Sequence, residues 1–112
     1  MPNEPSAAER MIGDVAPKLV ELTDDVLFGD IWVRPGLSKR DRSLITVAAL
    51  VALYRTRELP GHLGRALTNG VTRDELVELI THLAFYAGWP CAMSAMVAAK
   101  EVFAKAEERS AT

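Results

Sequence analysis

Apolar positions recur along this chain every three to four residues and nowhere alternate over four or more, which predicts helices throughout and no strands. Pro2 to Ser6 is polar and reads as a loose tail. Two helices are expected next, Ala7 to Asp14 and Pro17 to Asp30. The second has Pro17 near its first position and Leu19, Leu22, Val26 and Leu27 roughly on one face. Arg34-Pro35-Gly36 has to be a turn or loop, because proline disfavours helix in the residue before it. Ser38 then offers a cap, with Asp41 three residues on in the place of a capping-box acid.

From Lys39 to about Tyr54 the pattern changes: almost every position from Leu44 onward is apolar. A helix apolar on nearly all sides is surrounded by protein, so this one is expected at the centre. Pro60 marks the first turn of the next helix, which runs to about Thr68 and stops at Asn69-Gly70 in a left-handed turn. Thr72 and Glu75 form a capping box for a helix through Ala87. Gly88 ends that helix, and Pro90 begins a last one to about Ala106. The expectation is a single all-α domain of about six helices over residues 1–112, with loose tails at 1–6 and 108–112.

The last two helices carry more apolar surface than one small core absorbs. Leu76, Val77, Leu79, Ile80, Leu83 and Ala84 widen the apolar face of one. Ala92, Met96, Ala99 and Phe103, with Met93 and Val97 beside them, do the same for the other. Part of this surface is expected to meet another subunit, which makes the protein a homo-oligomer.

Composition narrows the function classes. The 112 residues are 49% apolar and 25% charged, the profile of a globular protein. Thirteen Lys and Arg against 15 Asp and Glu give a formal charge of −2, so the basic excess that attracts nucleic acid or anionic membrane is missing. The one cysteine, Cys91, excludes an intrachain disulfide and a multi-thiolate zinc site. The longest nearly apolar run, Leu44 to Tyr54, falls well short of the roughly 20 residues of a membrane span. The N-terminus lacks the apolar core of a signal peptide, so a cytoplasmic protein is expected.

Glu58, His62, Arg65 and Asn69 fall at helical offsets of 0, 4, 7 and 11, with Leu59, Leu63, Ala66 and Leu67 on the neighbouring side. A carboxylate, an imidazole and a guanidinium on one edge suit proton transfer beside an anion site. The same spacing also describes a solvated face with an i,i+4 Glu–His pair. His82 stands four residues after Glu78 and four before Tyr86, which a helix pair explains equally well. No H-x-x-x-H, phosphate loop, G-x-S-x-G or C-x-x-C is present, and no metal is expected. Cys91 sits at a helix start, where a lowered thiol pKa and a small buried filler are both open readings. Trp89, Tyr86, Phe85, Trp32 and Phe28 either wall a pocket or pack a core or interface.

Several segments then line up in order: Gly29 to Leu37, Arg42 to Thr46, Glu58-Leu59, His62-Leu63, Arg65-Ala66, Asn69 to Glu75, and finally His82, Tyr86, Gly88, Pro90, Ala92 and Ser94. Taken together they resemble the γ-carboxymuconolactone decarboxylase family, over roughly Asp24 to Ala104. The resemblance implies a fold similar to the alkyl hydroperoxidase D-type proteins, which are all-helical and assemble as trimers or hexamers. Those relatives use a C-x-x-C followed by histidine. Arg55 and Glu58 stand at the matching positions here, which argues against disulfide-based peroxidase chemistry.

The resemblance also implies a cofactor-free enzyme of aromatic-acid degradation through protocatechuate, converting 4-carboxymuconolactone to the enol-lactone of 3-oxoadipate. Loss of CO₂ beside the conjugated lactone leaves a dienolate that needs a proton on carbon. Such a site needs cations for carboxylates, a donor for the lactone oxygen and an acid of suitable pKa. Arg42, Arg55 and Arg65 are the candidates for carboxylate binding. His62 is the candidate proton donor or oxyanion partner, with Glu58 setting its protonation and His82 in second place. Tyr86 and Trp89 are candidates for an apolar wall that desolvates the departing carboxylate. Two other readings stand beside this one: a hydroperoxidase-like oxidoreductase, and a non-catalytic oligomeric module that binds a small molecule.

Overall fold

The computed structural model describes residues 4–111, and among them there are helices and no strands. They fall into two compact units, one up to Ser38 and one from Lys39 onward.

In the first unit, α1 (Ala7–Ile12) is capped by Ser6, whose hydroxyl accepts from Glu9 N and donates to Asp24 Oδ2 at 2.8 Å. The second helix keeps regular geometry only as α2 (Pro17–Glu21) and widens into a π-helical stretch, Leu22–Phe28. Thr23 Oγ1 takes the Leu19 carbonyl at 2.7 Å, the acceptor that a regular turn would offer to the Thr23 N–H. A short 3₁₀ turn, Ile31–Val33, follows, with Trp32 tilted against Phe28. Val20 and Trp32 are the buried side chains of this unit, while Leu19, Leu22, Val26 and Leu27 are exposed.

The second unit holds α3 (Lys39–Ala52), α4 (Leu59–Thr68), α5 (Arg73–Ala87) and α6 (Trp89–Ala111). The expected stops are present. Gly70 takes φ +98°, and the bonds Gly70 N to Leu67 O and Val71 N to Ala66 O close α4 with a left-handed cap. Thr72 and Glu75 exchange both capping-box bonds at the start of α5. Gly88, at φ +102°, separates α5 from α6.

Polar pairs report how these helices run. Asn69 reaches Ser43, so α4 is antiparallel to α3. Arg73 pairs with Glu107 and lies over the Phe103 ring, so α6 is antiparallel to α5. Arg40 pairs with Glu75, which sets the starts of α3 and α5 side by side. The main packing runs in the order α3, α4, α6, α5, with a smaller contact between α3 and α6, leaving α4 and α5 diagonally opposed. The core between them is Val47 and Val51, Leu59, Leu63 and Ala66, Leu76 and Ile80, and the small Ala92, Ala95 and Ala99 of α6. One end of the bundle thus gathers the α3 C-terminus, the α4 N-terminus, the α5 C-terminus and the α6 N-terminus.

Two expectations change. Within this chain α3 is not enclosed: it buries Ser43, Val47 and Val51, while Ile45 and Leu53 are 57% and 64% exposed. The apolar run supplies more faces than three neighbouring helices can cover. The last helix continues to Ala111, beyond the end of its apolar pattern, through Ala, Lys and Glu residues of high helix propensity. Residues 1–3 and 112 of the expected tails lie outside the described residues. No helix among the described residues is long and apolar enough to cross a membrane.

Candidate functional site

Helical geometry begins before α4 itself. Leu59 N bonds to Arg55 O at 3.1 Å, and Glu58 has φ −86° and ψ −19°. Arg55, Glu58, His62, Arg65 and Asn69 therefore lie on successive turns of one side. The neighbouring side, Leu59, Leu63 and Ala66, is fully buried. His62 is half-buried along the edge of that seam, and Arg55, Glu58 and Arg65 are exposed. Its Nδ1 is closed off from solvent.

Burial, and after it the positive charge of Arg65, lowers the pKa of His62 below its ordinary value, so the imidazole is neutral at pH 7. Glu58 and His62 share the backbone bond of a helical turn, His62 N to Glu58 O. Within one chain burial is the larger bias on the imidazole and the charge of Arg65 the smaller. An acid bound beside Arg65 would cancel that field and raise the proton affinity of His62, coupling anion binding to proton uptake.

The other candidates are spread over the bundle. Arg42 stands next to Ser43 at the Asn69 end of α4, and Arg55 at the other end, about 20 Å away at 1.5 Å of rise per residue. His82 stacks on Tyr86 with ring centroids 4.7 Å apart. It lines a hollow of about 390 Å³ between α3 and α5 with Ala48, Glu75, Glu78, Leu79 and Leu83. Trp89 stands edge-on to Phe85 and borders a second hollow of about 310 Å³ with Ile80, Ala92, Met93 and Met96. Neither hollow is lined by the α4 stripe. Tyr86 and Trp89 are 77% and 57% exposed, so in one chain they are open surface. Among the described residues, no group of three or more His, Cys, Asp or Glu is placed to hold a metal ion.

Three features escape the sequence reading. Ser43 is buried and accepts a hydrogen bond from Asn69, which turns that member of the stripe toward the core. Tyr54 adopts φ +59° without a glycine to announce it, and its oxygen accepts from Ser94 Oγ at 3.3 Å. A Cβ added to Gly64 would meet nothing within 4 Å, so the backbone of α4 is open on the side away from His62. Only the presence of that helix-interior glycine was visible in the chain.

The sequence profile of the carboxymuconolactone decarboxylase family matches residues 17–101, and the chain belongs to that family. A 4-carboxymuconolactone decarboxylase of Acinetobacter baylyi is 53% identical over 76 residues, which cover 68% of this chain and 57% of that protein. A nitrosuccinic acid decarboxylase of Metarhizium robertsii is 38% identical over 77 residues, 69% of this chain and 54% of that protein. An uncharacterised 15.0 kDa protein of Paracoccus denitrificans is 27% identical over 104 residues, 91% of this chain and 75% of that protein. The chain spans little more than half the length of the two decarboxylases it matches. The family resemblance and the all-α fold expected from the ordered residues are both borne out.

Proposed function

We propose that this chain is the subunit of a cofactor-free decarboxylase acting on a small lactone acid such as 4-carboxymuconolactone, in the degradation of aromatic acids. The bond to the departing carboxylate breaks, its electron pair moves into the lactone carbonyl, and the dienolate takes a proton on carbon. The observation that carries the reading is His62, half-buried on the α4 stripe it shares with Arg65. In this scheme Arg65 and Arg55 hold carboxylate oxygens, and His62 delivers the proton after the bound anion has raised its affinity for one. Glu58 sets the protonation of His62. The names of the two decarboxylase relatives support the reaction class.

Arg42, His82, Tyr86 and Trp89 do not gather at the stripe within one chain, and we assign them to a site completed by a second copy. Exposed Phe85, Trp89, Met93 and Val97, spaced four residues apart, support a homo-oligomer, which we propose to be a trimer or hexamer. A cytoplasmic setting is proposed from the acidic composition and the lone thiol of Cys91.

The test is CO₂ release from 4-carboxymuconolactone by purified protein without added cofactor. His62→Ala is expected to lower kcat by roughly 10²–10⁴. Glu58→Gln should cost nearly as much, and the double variant much less than the product of the two, as for residues sharing one step. All variants are first shown to be folded and assembled. An inert wild type, or a His62→Ala that keeps wild-type kcat/KM, overturns the reading.

A further inference from the structure

The break between α3 and α4 is closed by a left-handed residue of an unfavourable kind. Tyr54 N bonds to Val51 O at 3.1 Å and Arg55 N to Leu50 O at 2.8 Å, the bond pair that ends a helix on one left-handed residue. The same pair closes α4, where the residue is Gly70. Glycine occupies that conformation without strain, whereas a side chain crowds its own backbone there, and a bulky residue with positive φ is rare. The tyrosine thus stands where glycine would make the more stable chain. Its side chain is not there to fill a core, since it is 55% exposed.

The ring instead carries the phenol across to α6. Ser94 Oγ donates to the Tyr54 oxygen, a contact between residues 40 apart in the chain. The contact holds the phenol oxygen in place, and a hydroxyl that accepts a hydrogen bond becomes a better donor. The next residue is Arg55, and Glu58 follows one turn on, so the phenol opens at the end of the bundle where the α4 stripe begins.

We infer that Tyr54 is a substrate-contacting residue whose phenol donates a hydrogen bond to the carbonyl oxygen of the lactone, with Ser94 as its positioning residue. This rests on the decarboxylase reading above. When the carboxylate leaves, negative charge collects on that oxygen and the bond from Tyr54 strengthens. No proton is transferred in this contact; the proton for carbon comes from the stripe. The arrangement accounts for the strained backbone: the left-handed turn aims a donor that glycine lacks.

Tyr54→Phe, Tyr54→Gly and Ser94→Ala separate this role from a structural one. Tyr54→Phe keeps the ring and is expected to melt with the wild type, yet lose about tenfold or more in kcat, the scale of removing one preorganised donor. Tyr54→Gly relieves the backbone, so its melting temperature should equal or exceed that of the wild type while kcat falls as far as in Tyr54→Phe. Ser94→Ala should lose less, because the phenol remains. Wild-type kcat in Tyr54→Phe, or in a well-folded Tyr54→Gly, overturns the inference and leaves the decarboxylase reading standing. Calorimetry with 4-carboxymuconolactone covers an inert wild type. Binding that weakens several-fold in Tyr54→Phe retains the contact and overturns the reaction. Binding that is absent in the wild type, or unchanged in Tyr54→Phe, overturns both.

Discussion

The side-chain amide of Asn69 donates to the hydroxyl of Ser43 across 2.9 Å, joining the end of α4 to the start of α3. Ser43 is 1% exposed, so its hydroxyl has no water to turn to. Asn69→Leu leaves a buried hydroxyl without its donor and is expected to destabilise by about 1–3 kcal/mol. Ser43→Ala removes the buried hydroxyl itself and should cost about 0.5–1.5 kcal/mol. Because they share one bond, the two changes together should cost less than their sum. Urea denaturation of the three variants measures this, and additive losses would show that the bond does not tie the helices.

His62 takes up a proton less readily in the folded chain than in the unfolded one. Its contribution to stability is therefore complete above the ordinary pKa of 6.5 and is lost as pH falls from there through the lowered folded value. Melting temperature should decline over that window more steeply for the wild type than for His62→Gln. Arg65→Ala removes the second cause of the shift and should raise the pKa of His62 in an NMR titration. Glu75 contributes in a separate, more acidic window. The backbone N–H of Thr72 and the Arg40 side chain hold its carboxyl below 4.5, so that share is lost only as pH falls further.

The exposed apolar series on α6, Trp89, Met93 and Val97, should lie at a subunit contact. Light scattering at micromolar concentration is expected to give a three- or sixfold multiple of the 12.2 kDa chain. Met93→Glu should shift it toward smaller species by placing a charge on that contact. A clean monomer for the wild type would contradict the assembly.

Cys91 is half-buried in the first turn of α6, packed against the core, and is the only thiol in the sequence. Cys91→Ser is expected to retain turnover and to show no thiol-dependent peroxide reduction, since no resolving cysteine exists. Peroxidase activity abolished by this substitution would instead select the hydroperoxidase reading.

Much of the architecture was legible in the chain because the signals that start and stop helices are local. Thr72 and Glu75 bond within one turn of each other, Gly70 is read at a single position, and the stripe Glu58, His62, Arg65 follows from the helical period alone. Family membership was readable for a similar reason, since it lies in the order of short segments. What tertiary structure decided is which group each of these residues meets. The apolar run of α3 does not say that Ile45 and Leu53 lie open, nor that Ser43 is the buried position. Helical spacing lists Asn69 with the stripe, but a partner 26 residues earlier turns it inward. Three arginines suit a carboxylate equally well in the sequence, and only the antiparallel pairing of α3 and α4 sets Arg42 and Arg55 at opposite ends. The lowered pKa of His62 and the left-handed Tyr54 likewise arise from burial and from contacts between helices. Periodicity encodes which residues share a face; which face is covered, and by what, is settled by packing between segments distant in the chain.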